Sequence, residues 1–218
     1  MPNFSGMWTV TQQMQAIAAG IWTGLPLVIG DAYGGGYYAG QSDQSGTIYN
    51  LVVGPVASAE NASKQWKTSN TTTAGTTSVI DGPANSTAMN NASHPAAQFC
   101  EGLTIGGFSD WYMPAKNELE VCYYNLKPTT SSNNTSSGIN ANAVPARASN
   151  YTSGTPAQTS AAAFITSTGA EAFSANFYWS STEKSATAGN IQLFSNGRQY
   201  YNSKDFYYRV RAVRRVAV

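Results

Sequence analysis

Apolar and polar positions alternate along this chain in short blocks, and the blocks predict more strands than helices. Thr47-Ile-Tyr-Asn-Leu-Val-Val53 is β-branched and aromatic, stops at Gly54-Pro55, and reads as a strand. Phe177-Tyr-Trp-Ser-Ser-Thr182 reads as another. Asn190 to Tyr201 reads as a hairpin about Asn196-Gly197, a dipeptide that favours two-residue turns. That turn sets Ser195 against Arg198, Leu193 against Tyr200 and Ile191 against Asn202, all on one face. Gln192, Phe194, Gln199 and Tyr201 then share the other. Tyr208 to Val216 reads as a closing strand.

Helical spacing appears in two places. Asn85 to Cys100 has Met89, Ala92, Ala96 and Phe99 three or four apart, with Pro95 separating its start as a distinct turn. Ala115 to Leu126 puts Leu119, Cys122, Tyr123 and Leu126 on one face, leaves Lys116 and Glu118 outside, and stops before Pro128. The residue pattern is therefore α+β: two helices packed on short antiparallel strands, rich in loops. Residues 57–82 are polar and read as loop, with Trp66 between lysines. Residues 129–160 are rich in Ser, Thr, Asn and Pro and read as a surface excursion, with Ile139, Val144 and Tyr151 as its core candidates.

Residues 1–30 read as an N-terminal arm or assembly segment. Thr11 to Ala19 suggests a short helix flanked by Trp8 and Trp22, and Leu25 to Gly30 a strand-like run. The arm packs either on the domain or on a neighbouring subunit. Residues 31–218 form the main domain, and 178–218 its displaying C-terminal region. The glycines of Asp31–Gly40 lack the Gly-Lys-Ser/Thr ending of a phosphate loop and instead let strands bend or cross closely.

Composition narrows the function. Only 11% of the 218 residues are charged, against roughly 25% in an average soluble domain, and Ser, Thr and Asn make up more than a quarter. Such neutral polar surfaces fit a virion or other extracellular protein. A net charge of +1 argues against a broad nucleic-acid footprint. No apolar run reaches the ~20 residues of a membrane helix. The N-terminus lacks the basic start and apolar stretch of a secretory signal. Arg209, Arg211, Arg214 and Arg215 read as a solvated or salt-bridged strand face. Cys100 and Cys122 are either two buried thiols or one disulfide.

Catalysis finds little support. The single histidine, His94, precedes proline and reads as structural. No Gly-X-Ser-X-Gly elbow accompanies it, and zinc would need more His or Cys ligands. Glu118 and Glu120, two apart on a helix, point to different sides. An enzyme would have to use Asp110 or Glu183, near Trp111 and Trp179, with no partner evident for either. Trp111, Met113, Leu119 and Trp179 read as core. We expect no enzyme activity and no cofactor, and the residues form no metal motif; an irregular calcium loop of Asp and backbone oxygens is left open, with no EF-hand pattern present.

The strongest compositional feature lies between Lys184 and Tyr208, where Tyr200, Tyr201, Phe206, Tyr207 and Tyr208 crowd into nine positions among Asn, Ser and Asp. Tyrosine gives large contact area at low entropic cost, as in antibody binding loops. Three motifs then fall in order: Gly106-Gly-Phe-Ser-Asp-Trp-Tyr-Met-Pro-Ala-Lys-Asn-Glu-Leu119, Tyr178-Trp-Ser-Ser-Thr-Glu183 and Arg209-Val-Arg-Ala-Val-Arg-Arg215. Together they resemble the C-type-lectin-fold domain shared by collagen-like adhesin C-terminal domains, formylglycine-generating-enzyme-like domains and the variable proteins of diversity-generating retroelements. The similarity covers about residues 31–218 and is nearest to phage tail-fibre or receptor-binding proteins.

The resemblance implies a C-type lectin fold and a C-terminal segment in which rewritten positions alternate with scaffold. Gln192, Phe194, Gly197, Gln199 and Lys204 match scaffold. The implied ligand-binding positions are Lys184, Asn190, Ile191, Leu193, Ser195, Asn196, Arg198, Tyr200, Tyr201, Asn202, Asp205, Phe206, Tyr207 and Tyr208, although strand alternation puts Tyr201 on the scaffold side. No cysteine follows Cys122, unlike formylglycine-generating enzymes, and the calcium-binding motifs of sugar-binding C-type lectins are missing. The implied role is host attachment from a virion tail fibre or other external surface. The implied partners are a host cell-surface protein or glycan, other virion or tail proteins, and a second copy of the chain, with no nucleic acid and no membrane insertion. The alternative role is structural, as a virion or surface decoration protein of the same fold.

Overall fold

The structure, a computed structural model, describes residues 26–218. The predicted helix at 11–19 and its flanking tryptophans lie outside the described residues. Residues 26–30 are irregular and end in a turn, so the strand-like run does not form a strand there.

The domain is α+β, with two five-stranded sheets. The first orders β1 (Ala32–Tyr33), β2 (Gly36–Gln44), β3 (Thr47–Val53) and β10 (Val213–Ala217), with β5 (Ala143–Val144) pairing to β2. The second orders β4 (Glu60–Gln65), β9 (Tyr207–Arg211), β6 (Phe177–Glu183), β7 (Ala188–Leu193) and β8 (Gln199–Ser203). Strand β3 has the predicted bounds. Strand β4 occupies a stretch expected to be loop; its residues are polar because only one partner strand, β9, covers it. Trp66, just after β4, is fully buried.

The predicted closing strand is two strands. Val210, Arg211, Ala212 and Val213 are all buried, so the alternation of faces slips at Ala212. There the chain leaves the second sheet for the first, held as Ala212 N–H donates to Ala59 (2.8 Å) and its carbonyl accepts from Gly54 N–H (3.0 Å).

Four α-helices occur among the described residues: α1 (Val56–Ala59), α2 (Gly82–Ala88), α3 (Pro95–Glu101) and α4 (Lys116–Leu126). The first expected helix is split into α2 and α3, with Pro95 at the first position of α3, where its missing N–H costs nothing. Ala92 lies between them and is exposed.

Helix α4 packs against β2 on one side and β6 and β7 on the other. It therefore has almost no solvent face, and Glu118, expected outside, is 1% exposed. Glu118 accepts from Ala115 N–H and Tyr112 Oη, both at 2.8 Å. Glu120 points elsewhere, to Tyr151 Oη (2.7 Å), Asn140 Nδ2 (2.5 Å) and the Arg147 guanidinium.

One apolar cluster surrounds α4 and includes Leu51, Leu119, Tyr123, Tyr178 and Phe194. The other joins Trp66, Trp111, Met113, Trp179 and Ile191. Trp111, Met113, Leu119 and Trp179 are all core, as expected. Cys100 and Cys122 are free buried thiols in different clusters.

The excursion at 129–160 forms one two-residue strand, β5, and is otherwise held by side chains. Tyr151 is buried, whereas Ile139 and Val144 are exposed; the small Ala143 fills the core position instead. Asn133 accepts from Tyr123 Oη at 2.6 Å and donates to Pro156 O at 2.8 Å.

Candidate functional site: an aromatic surface on the second sheet

The β7–β8 hairpin pairs Ile191 with Tyr200 and Asn190 with Tyr201, two residues out of the expected register. The loop is four residues, Phe194 to Gly197, closed by Leu193 N–H to Arg198 O (2.9 Å) and Gly197 N–H to Leu193 O (2.7 Å). Burial of Phe194 sets this length. Its ring is fully buried and stacks on Phe173 at 4.1 Å. Gly197 follows at φ +75°, where a Cβ would run into the Tyr123 ring. A shift of two leaves each side chain on its expected face.

The excursion buttresses this loop. Asn134 N–H donates to Asn196 O (2.8 Å), Thr129 Oγ1 to Ser195 O (2.7 Å) and Gln199 N–H to Ser137 Oγ (3.0 Å). Asn190 spends its side-chain amide on Thr182 O (2.9 Å). Asn190, Leu193, Ser195 and Asn196 are accordingly half-buried. Ile191 is buried outright at 3%. Strand β7 is interior, and Ile191 lies beside Trp179 of β6 in the second core cluster. It is a core residue and not part of the surface.

The remaining candidates reach solvent. Tyr200, Tyr201, Phe206 and Tyr207 are 46, 47, 52 and 62% exposed. Tyr201 is exposed despite its scaffold-side position because β8 is an edge strand, so both its faces meet water. Tyr200 and Tyr201 stack at 5.0 Å and 14°. The Arg198 guanidinium lies over Tyr200 at 4.5 Å and the Lys184 ammonium over Tyr201 at 5.7 Å. Phe206 stacks on Tyr208 at 6.4 Å, and Asn202 Nδ2 donates to Tyr208 Oη at 2.5 Å, linking the two halves. Half-buried Tyr208 also packs on Trp179 (5.0 Å) and Phe177 (5.5 Å), so it covers core as well as facing out. Phe177 extends the patch and escaped the sequence reading; the available signal was its place at the open end of an aromatic strand.

Lys204 anchors the β8–β9 turn from inside. Its side chain is fully buried. The ammonium pairs with Glu183 and donates to Thr71 O and Ala186 O, both at 2.9 Å, and it lies 4.7 Å over Trp66. Burial holds its pKa below the ordinary lysine range, with Glu183 opposing. With Lys204 turned inward, Asp205 and Phe206 are forced outward. The Ser203 hydroxyl donates to Asp205 (2.5 Å) and draws that exposed carboxylate's pKa down. Gln192, Phe194, Gly197 and Lys204 are buried and Gln199 half-buried, the pattern of a fixed support under displayed residues.

Other sequence candidates are internal structure. Asp110 holds Arg214 through two hydrogen bonds (2.7 and 2.9 Å). Arg209 pairs with Glu60, Arg211 with Glu171 and Arg215 with Asp81, so all four terminal arginines are salt-bridged and Arg211 is fully buried. His94 is buried between Thr73 Oγ1 (2.9 Å) and Asn91 Oδ1 (2.8 Å); burial, then the Lys67 and Lys204 charges, lower its pKa to about 4.

Residues 58–214 match the Lcl C-terminal domain, more than half of the chain. The chain belongs to the Lcl C-terminal domain family. A comparison with curated proteins finds no match. The Lcl C-terminal domain match runs from α1 into β10, so it contains the whole second sheet and every residue of the aromatic surface.

Proposed function

We propose that this chain is a receptor-binding module with a C-type-lectin-type scaffold, of the kind carried by phage tail fibres and retroelement variable proteins, and that its aromatic surface attaches to a host-cell protein or glycan. One observation carries the reading. Four large rings stand about half exposed within eight residues, on a backbone pinned by buried neighbours.

An aromatic side chain offers roughly 200 Å² of surface. Covering the exposed half of one ring, about 100 Å², is worth about 2.5 kcal/mol at ~25 cal/mol per Å². Four rings give about 10 kcal/mol gross, which association costs of roughly 4–15 kcal/mol largely offset. A single copy therefore binds weakly, and attachment draws on several copies.

The test replaces Tyr200, Tyr201, Phe206 and Tyr207 together by Ala. Tyr208 is kept because it covers Trp179. Labelled wild-type chain, clustered on a tetrameric carrier, is screened by flow cytometry against a panel of intact bacterial strains. The variant should lose binding to every strain the wild type stains while keeping its melting temperature. Equal staining by a folded variant refutes the proposal. Sequencing the gene's 3′ end across a natural population tests diversification: substitutions should fall on the exposed positions and spare Gln192, Phe194, Gly197, Gln199 and Lys204.

A further inference from the structure

Resting on that reading, we propose that the Tyr200–Tyr201 half of the surface docks an acidic segment of a protein. The chain has six arginines, and five of them (Arg147, Arg209, Arg211, Arg214 and Arg215) are ion-paired inside the fold. Arg198 is the sixth; it is exposed and forms no ion pair among the described residues. Lys184 is also exposed and makes no such pair. The fold neutralises its other arginines and leaves these two cations each against one ring of a stacked tyrosine pair, Arg198 on Tyr200 and Lys184 on Tyr201.

A third cation adds to the field. Lys116, at the start of α4, is half-buried and close enough to Lys184 for their charges to repel. An anion brought to this end relieves that repulsion and meets two cations already held against rings, which reduces the side-chain entropy lost on binding. The exposed carboxylate of the surface, Asp205, is in the β8–β9 turn and is engaged by Ser203. It therefore gives the surface a second, opposite charge that orients a partner.

The stacking geometry favours a protein over a sugar. A pyranose ring binds by lying on an open aromatic face. The Tyr200 ring is already engaged by two neighbours, the Arg198 guanidinium at 4.5 Å and the stacked Tyr201 at 5.0 Å. The cluster also presents phenol hydroxyls and guanidinium N–H groups, which suit carboxylates and backbone carbonyls of a peptide.

The test is an NMR titration of the full chain with a short Glu-Gly repeat peptide, run beside the matching Gln-Gly peptide and hyaluronan, a carboxylate polysaccharide. The Glu-Gly peptide should shift the Arg198 Nε–H and the Tyr200 and Tyr201 ring signals, saturably and less strongly at high salt, while the Gln-Gly peptide leaves them in place. Arg198→Gln and Lys184→Gln should each weaken the interaction on the order of tenfold. Both residues are exposed, so an unchanged amide spectrum elsewhere verifies the fold. Equal shifts from the Gln-Gly peptide, stronger shifts from hyaluronan, or no shift from the Glu-Gly peptide overturns the proposal. These results are separable from the wider reading. If the four-alanine variant still stains cells, the whole surface reading fails; if it does not and the peptide is inert, only the acidic partner is wrong.

Discussion

Replacing Lys204 by Met removes one charge and keeps nearly the whole stem. The lost contacts are an ion pair with Glu183, two hydrogen bonds to Thr71 O and Ala186 O, and the ammonium's position over Trp66. The Glu183 carboxylate stays behind, 5% exposed, with the Thr73 N–H at 2.8 Å as its remaining donor. Removing one partner of a buried pair leaves an uncompensated charge and costs about 3–5 kcal/mol. The Ala186 carbonyl adds a desolvation cost of about 1–3 kcal/mol where water fails to reach it, whereas the Thr71 carbonyl keeps the Lys67 ammonium as a donor at 3.0 Å. We therefore expect Lys204→Met to lose about 4 kcal/mol in urea unfolding at neutral pH. Adding Glu183→Gln should recover part of that loss, because the buried charge is then gone. A single-variant cost below about 1 kcal/mol, or no recovery in the double variant, refutes the view that Lys204 pins the β8–β9 turn electrostatically.

Three other outcomes follow from buried groups. Cys100 and Cys122 are fully buried, and burial pushes the Cys122 thiol up to about 12 and Cys100 well above its usual range, so neither should react with a thiol reagent until the chain is unfolded. The His94 pKa of about 4 lies below its unfolded value of about 6.5, so the unfolded chain takes up the proton first. Stability should fall as pH drops through that window, by about 3 kcal/mol, and the deficit of His94→Gln measured at pH 7 should shrink accordingly. Glu118 acts in the opposite direction: burial raises it to about 7, so its folded form keeps a proton that the unfolded form has lost. Its contribution is present at low pH and fades as pH rises from about 4.5 to about 7, and Glu118→Gln should gain on the wild type by about 3 kcal/mol across that range in urea unfolding.

How far the sequence could be read depended on whether local pattern or distant contact decided each feature. Strand β3 was legible because six of its seven residues are β-branched, aromatic or aliphatic and the run ends at Gly54-Pro55. The hairpin was legible as a hairpin but not in register, because the loop length is set by Phe194 entering a cluster built from Phe173 and Tyr178, which are remote from the turn. Glu118 was misplaced because helical amphipathicity assumes one wet face, and α4 has a sheet on each side. Alternation misleads at Ile191 and Tyr201 in opposite directions, because it assigns faces while strand order decides whether a face meets water; Ile191 is buried, and Tyr201 reaches solvent as its place among the candidate positions required. Ile191 is on an interior strand and Tyr201 on the edge. The tyrosine cluster itself needed no tertiary information, since nine residues with five rings exceed what a covered strand requires.

The support of the aromatic surface is separate from the surface. Most hydrogen bonds that fix the β7–β8 loop and the β8–β9 turn end on a backbone atom of a displayed residue or on a side chain that is not displayed. Asn196 and Ser195 are held by their carbonyls, and the Gln199 backbone by Ser137. Lys67 N–H donates to Lys204 O at 3.1 Å, and Gln65 Nε2 to Asp205 O at 2.9 Å. The backbone path is thus independent of which side chains Tyr200, Tyr201, Phe206 and Tyr207 carry. Substitutions at such exposed positions usually fall within about ±0.5 kcal/mol. The exceptions are the side chains of Asn190, Asn196, Asp205 and the linking pair Asn202 and Tyr208. Asn202 and Tyr208 are bonded to each other, and Tyr208 rests on Trp179. A surface able to change its ligand without losing its fold would have to keep that pair or replace it jointly. Single changes at Asn202 or Tyr208 should therefore lower stability more than any change at the four exposed rings.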